Sequence, residues 1–163
     1  MPLYMVWLHL MGIVISLGAA LLLVLAVYPA AAKIADEEQR FQMLAAILKY
    51  FHPLYLFGIC LVFMTGAIGL TDLKIGLGDQ YYDQLSIVLI KKFALTMLIF
   101  LVASMQCFGQ GLKVTRMANG IIEADMATKQ RYTKKIYRAT VINIILIAIT
   151  IYVGLQLPLA IGS

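Results

Sequence analysis

The two histidines are the side chains of this sequence best suited to bind a metal or carry a proton. His9 lies near the start of the first long apolar segment, and His52 lies at the start of the second. An ionisable side chain at membrane depth costs roughly 3 kcal/mol on insertion scales, so a histidine facing into a bundle indicates function. With antiparallel packing, about 22 Å of helical rise separates the two. We therefore expect any site to use one histidine with other partners.

Further donor side chains are predicted on the same side of the membrane as His9. Met64, Met97 and Lys92 belong to the matching parts of the second and third apolar segments. Imidazole with thioether sulfur suits Cu(I) or a haem iron. We therefore predict that a metal binds through His9, Met64 and Met97. His9, His52 and Lys92 are the candidate cofactor-binding residues. The alternative is that the methionines only fill space in an apolar core.

Hydrolytic chemistry is not expected. The acidic residues lie between the apolar segments, and nothing resembles a Ser/His/Asp set, a P-loop or a zinc signature. Cys60 and Cys107 fall in different apolar segments, so no disulfide framework is available. The sequence leaves open whether the chain is an enzyme, and it favours a role that is not enzymatic on its own.

The composition predicts the secondary structure that positions these residues. The chain of 163 residues is 63% hydrophobic and 13% charged, whereas globular domains are about half apolar and about a quarter charged. Crossing the bilayer core takes about 20 residues of helix, and no alternation typical of a barrel is present. The sequence predicts an all-α fold, with residues 1–163 forming one integral membrane domain, a bundle of four antiparallel transmembrane helices. The predicted spans are about 5–30, 51–71, 86–108 and 139–160.

Lysines and arginines are unevenly distributed around the predicted spans. Segments 31–50 and 109–138 hold ten of them, and the other side of the membrane holds three. The positive-inside rule places the ten in the cytoplasm, 109–138 being a basic loop, and both termini outside, in the periplasm. The formal net charge of +5 is then explained by orientation. We expect the lipid bilayer as a partner and no nucleic acid.

Small and polar residues form stripes along three of the spans. His9 shares a helical face with small residues that let helices approach closely, so it is predicted to face inward. Interhelical hydrogen bonding alone is the alternative explanation for the polar stripes. The stripes comprise Gly12, Ser16, Ala19 and Ala20 in the first span, Lys92, Thr96, Ile99, Ala103, Gln106 and Gln110 in the third, and Thr140, Asn143, Thr150 and Gly154 in the fourth.

The opening helix of the copper resistance D (CopD-like) membrane proteins is similar to the first span, WLHLMGIVISLGAALLLVLAVYP. That family's Thr-Gly helix end resembles MTGAIGL, and its helix with a lysine at the outer end resembles LSIVLIKKFALTMLIFLVASMQ. The matching positions are His9, Thr65, Gly66 and Lys92, within about the first 110 residues. The resemblance implies a multi-pass protein of a bacterial inner membrane that binds haem b or copper through His9 for metal handling or electron transfer.

HemJ-type protoporphyrinogen oxidases have a similar layout, with a histidine early in the first helix, a lysine opening the third span and an association with b-type haem. His9 and Lys92 are again the matching pair. The chain departs from that pattern at Val27, Tyr28 and Pro29, where the family has Arg and Tyr-His. Two alternatives to a haem or copper protein therefore stay open. One is a non-catalytic accessory subunit that packs on other subunits of a respiratory-type membrane complex, and the other is a HemJ-like oxidase.

Overall fold

The computed structural model describes residues 2–78 and 80–155, with the backbone alone for 73, 77 and 80–88. These residues form four long helices and contain no β-strand. Each helix is long and apolar enough to cross a membrane, which confirms the all-α prediction of four apolar helices. The helices are α1 (Leu3–Ala32), α2 (Glu37–Leu77), α3 (Gln80–Ser104, Met105–Gly111 and Leu112–Ala118) and α4 (Met126–Leu155).

The helices extend beyond the spans that hydropathy marks. In the segment 109–138, predicted as a basic loop, only residues 119–125 lie outside a helix. Lysine, arginine, glutamine and alanine are good helix formers, so the backbone stays helical after the apolar residues end. Residues 156–160 of the fourth predicted span lie outside the described residues. The remaining predicted positions, 5–30, 51–71, 86–108 and 139–155, all lie within helices.

Contacts between helices show that α1 and α2 run antiparallel and that the four helices pack around one interior. His9 on α1 contacts Thr65 on α2, whereas Ser16, further along α1, contacts Gly58, earlier on α2. α2 also packs on α3, α3 packs on α4, and α4 contacts both α1 and α2. We call the end at which α1 begins the His9 end, and the opposite end the His52 end.

Capping and an ion pair fix the helix starts at the His52 end. The Asp36 carboxylate accepts hydrogen bonds from backbone amides at the start of α2, and Asp125 accepts one from the Thr128 amide of α4. Such caps stabilise helix starts by about 1 kcal/mol, and the hydrogen bonds from Thr128 hold the pKa of the Asp125 carboxyl below its usual value. Lys129 Nζ lies 2.7 Å from a carboxylate oxygen of Glu38, which joins α4 to α2.

Pro29 explains a π-helical segment in α1. Proline has no N–H, and its ring clashes with the carbonyl of the residue four positions earlier, here Leu25. Over Leu23–Val27 the helix widens to π geometry, and the Tyr28 amide donates to the Leu23 carbonyl. The wider turn accommodates the proline without ending the helix.

The closest approach of two helices is between α1 and α2. A Cβ added to Gly12 would lie 2.8 Å from Val62 Cγ2 and 2.9 Å from the Gly58 carbonyl oxygen. Only glycine fits at such a distance, so the two backbones pack directly on each other. Gly12, Ser16 and Ala20 of the predicted small-residue stripe are buried. This stripe packs, at Gly12 and Ser16, against a helix of the same chain.

We predict that Gly12→Ala destabilises the bundle, because its new methyl group would overlap α2. Overpacking of this kind costs about 1 to 3 kcal/mol. Gly18→Ala is the matched control, since a Cβ there has no atom within 4 Å and alanine favours the helix. The free energy of unfolding in mixed detergent micelles would measure both. Equal stability of the two variants would contradict this packing.

Candidate functional site

A cavity of about 260 Å³ lies between all four helices at the His9 end. We call it the His9 cavity. Its size is near the lower limit of pockets for drug-sized ligands, roughly 300 to 1,000 Å³, and it is partly open. The wall is mostly aliphatic, aromatic or glycine. The polar side chains in its lining are His9, Ser16, Lys92, Thr96 and Thr150.

The ring of His9 is oriented by a threonine of α2. Nδ1 of His9 lies 2.8 Å from Thr65 Oγ1, and the Thr65 hydroxyl donates to the Leu61 carbonyl at 2.6 Å. A hydroxyl has one proton. With that proton on the Leu61 carbonyl, Thr65 accepts from His9, and Nδ1 of the ring carries the hydrogen. In the neutral ring Nε2 then keeps its lone pair. This is the arrangement by which proteins prepare a histidine to ligate a metal.

Lys92 brings a positive charge to the same cavity. The residue is half-buried, and a Cβ added to Gly154 of α4 would lie 3.5 Å from its Nζ. Among the described residues, no carboxylate forms a salt bridge with Lys92. An ammonium group at membrane depth is costly without a partner. The cavity therefore favours a ligand that is largely apolar and carries an acidic or electron-rich oxygen group.

The two predicted thioether ligands do not line this cavity. Met64 is 64% exposed on the outward face of α2, because it is rotated by about 100° from its neighbour Thr65, which faces His9. Met97 is half-buried and also lies outside the lining. Within the described residues, no three His, Cys, Asp or Glu side chains are grouped so that they could hold a metal ion. The structure thus brings together His9 and Lys92, and leaves out Met64 and Met97.

His52 lies far from the His9 cavity. Along α2, the residues between His52 and Thr65 correspond to about 20 Å of helical rise. His52 is 6% exposed, and its ring fills the space beside Gly111 of α3, where an added Cβ would overlap it. The two histidines consequently cannot share one ion or one haem iron.

Comparison with known proteins finds no matching family model, no matching curated protein and no matching solved structure.

We predict that Thr65→Val removes the preference for a hydrogen on Nδ1 of His9. The substitution keeps the shape of the side chain and deletes the acceptor, so the ring can change tautomer. The ¹⁵N chemical shifts of histidine-labelled protein in micelles report the tautomer of each of the two rings.

Thr71→Val is the matched control, because Thr71 is exposed and its hydroxyl donates to the Ala67 carbonyl of its own helix. The shifts of His9 should not change in this variant. If the ring nitrogens of His9 have the same shifts in Thr65→Val as in the natural protein, the proposed orientation of the ring is wrong.

Proposed function

We propose that this chain is a multi-pass protein of a bacterial inner membrane that binds haem b in the His9 cavity and serves electron transfer or metal handling. The observation that supports this most directly is the Thr65 hydrogen bond, which leaves Nε2 of His9 as the free ligand atom. A single axial histidine is sufficient to hold a haem iron. The resemblance to CopD-like proteins at His9, Thr65, Gly66 and Lys92 points the same way.

The chemistry of the cavity fits a haem in two respects beyond the axial nitrogen. Its aliphatic and aromatic wall suits the face of a porphyrin, and the Lys92 ammonium suits a carboxylate of that ring. The partly open cavity lets a ring larger than about 260 Å³ extend out of it. A bound haem would supply one-electron chemistry, while Thr65 holds His9 in place and the apolar wall excludes water.

Copper is a weaker candidate for this cavity. Cu(I) in proteins favours soft sulfur ligands together with imidazole, and the lining has one imidazole and no sulfur. We therefore do not propose a copper site of His9, Met64 and Met97.

A HemJ-like oxidase is the second candidate, because the pair that matches that family, His9 and Lys92, lines one cavity. A porphyrinogen substrate has the same apolar ring and acidic groups as haem. The two functions differ in whether the ring stays bound during purification. For the accessory-subunit alternative, the Gly12 stripe gives no support, since it packs within the chain.

Charge supports one orientation of the bundle. The ten basic residues of 31–50 and 109–138 belong to the connections and helix ends of the His52 end, which the positive-inside rule places in the cytoplasm. We propose that the His9 cavity faces the periplasm, together with both termini.

We predict that protein purified in mild detergent contains haem b, seen as a Soret band and as the α-band of the pyridine haemochromogen. His9→Ala should lower haem per protein by about tenfold or more, since even groups that only hydrogen-bond to a metal ligand contribute 10- to 100-fold to affinity. Lys92→Gln should also weaken retention of haem, whereas Lys91→Gln, at an exposed neighbouring position, should not.

Metal analysis of the same samples separates the alternatives. A full complement of haem in His9→Ala would contradict the proposal. Copper bound in stoichiometric amount, with no haem, would favour a copper-binding protein. Protein without haem that binds and oxidises protoporphyrinogen would favour the HemJ-like oxidase.

A further inference from the structure

A second group of polar side chains lies between the His9 cavity and the His52 end of the bundle. We call His52, Tyr55, Gln106 and Asn143 the polar core. Tyr55, Gln106 and Asn143 are fully buried, and His52 is nearly so. The group comes from α2, α3 and α4, so three helices converge on it. Neither electron transfer nor haem binding at His9 uses these residues.

Many polar atoms of this group lack hydrogen-bond partners among the described residues. They are Nε2 of His52, the Tyr55 hydroxyl, Oε1 of Gln106, and both Oδ1 and Nδ2 of Asn143. Two hydrogen bonds tie the group to its neighbours: Gln106 Nε2 donates to the Thr140 hydroxyl, 2.9 Å away, and the Cys107 thiol donates to the His52 carbonyl. A buried polar atom without a partner costs about 1 to 3 kcal/mol. Tyr55 and Asn143 lie close enough to interact with each other, whereas Nε2 of His52 and Oε1 of Gln106 have no such neighbour among the described residues. This group of poorly satisfied polar atoms points to a ligand that satisfies them.

The mixture of donors and acceptors identifies the class of ligand. Oε1 of Gln106 and Oδ1 of Asn143 accept hydrogen bonds, Nδ2 of Asn143 donates, and the Tyr55 hydroxyl does both. None of the four side chains is a carboxylate, so a metal cation would lack a compensating charge. Water both donates and accepts, and buried water typically makes about three hydrogen bonds to otherwise unsatisfied groups. Water therefore fits this group best.

The backbone of α3 is irregular at this level. Met105–Gly111 is π-helical, with Gln106 and Gly111 both buried within it. Segments of this kind are frequent at functional sites. Gln110, one turn after Gln106, is only half-buried and also has an unpartnered Oε1. Gln110 thus extends the line of polar atoms toward the His52 end.

Three isoleucines separate the polar core from the His9 cavity. Ile59, Ile99 and Ile147 are buried and line the cavity, and we call them the isoleucine layer. Tyr55 is one turn before Ile59 on α2, and Asn143 is one turn before Ile147 on α4, about 6 Å of rise in each case. On the far side of the layer, Thr96 and Thr150 are polar groups of the cavity wall. Polar groups therefore lie on both sides of a narrow apolar layer.

We propose that the polar core binds internal water and forms half of a water-mediated proton path, which the isoleucine layer closes off from the His9 cavity. Hydrophobic constrictions block conduction by excluding water, and a polar substitution in them lets water pass. The path connects the His52 end with the His9 cavity once the layer is hydrated. It does not depend on which ligand the His9 cavity holds.

The proposal is tested by placing a hydroxyl in the isoleucine layer. Proteoliposomes with Ile147→Ser should dissipate an imposed pH gradient faster than those with the natural chain, by on the order of tenfold, as followed with an internal pH dye. Ile145→Ser is the matched control, because Ile145 is 53% exposed on the outward face of α4. It should leave the vesicles as tight as the natural protein.

A second substitution tests whether the protons pass through the polar core. Adding Asn143→Leu to Ile147→Ser should restore tight vesicles, since leucine removes the donors and acceptors that hold water there. Ile59→Ser, on α2, should leak as Ile147→Ser does, and it replaces that variant if Ile147→Ser elutes as aggregate in size-exclusion chromatography. Folded variants of the layer that stay tight would overturn the proposal. A leak that persists with Asn143→Leu would also overturn it, because the protons would then bypass the polar core.

Discussion

The hydrocarbon core of a bilayer offers no hydrogen-bond partners, and this constraint governs where the polar residues of the chain lie. Backbone groups are satisfied within four helices. Polar side chains must find partners between the helices or serve a ligand. The Thr65 hydroxyl makes two such contacts. It donates to the Leu61 carbonyl of its own helix, and its oxygen accepts from the His9 ring of the neighbouring helix. The orientation of His9 therefore follows from how a threonine satisfies its own hydroxyl in a membrane helix.

The position of that hydrogen bond depends on the contact of α1 with α2. Gly12 and Gly58 let the two backbones meet, and His9 lies one turn from Gly12 toward the end of the bundle. A wider separation of the helices would take the imidazole out of reach of Thr65. The close packing at the two glycines therefore also determines whether His9 can form its hydrogen bond. The partly open cavity lies alongside this contact, because its lining extends from Ser16 and Ile59 to His9 and Gly66.

Much of the fold could be predicted from the sequence, because apolar runs of about 20 residues mark membrane helices directly. The inward face of His9 followed from the small residues that share it, and Lys92 was found from a polar stripe. The direction of Met64 could not be predicted in the same way. Its level in the membrane suited a ligand of His9, but its direction depends on the rotation of α2, which a uniformly apolar sequence does not specify.

The polar core shows a second limit. Gln106 and Asn143 stand out in the sequence as polar residues on the inward stripes of the third and fourth spans, and both are buried, but the π-helical segment Met105–Gly111 of α3 was not predicted. Such a segment shifts the phase of all later residues relative to a regular helix. Helical periodicity counted at a constant 100° per residue cannot include that shift. Nothing in the sequence marked Tyr55 as a member of a buried polar group, since tyrosine is common in membrane helices and at their ends.

The central proposal is that Nε2 of His9 would hold the iron of a haem bound in the cavity. The most direct test is chemical rescue of His9→Gly, in which the shortened side chain leaves room for free imidazole. We expect this variant to lack the b-type spectrum when expressed and purified alone, and to regain it when haem and imidazole are added together. A His9→Gly protein with the same haem spectrum as the natural chain, in the absence of imidazole, would contradict the claim.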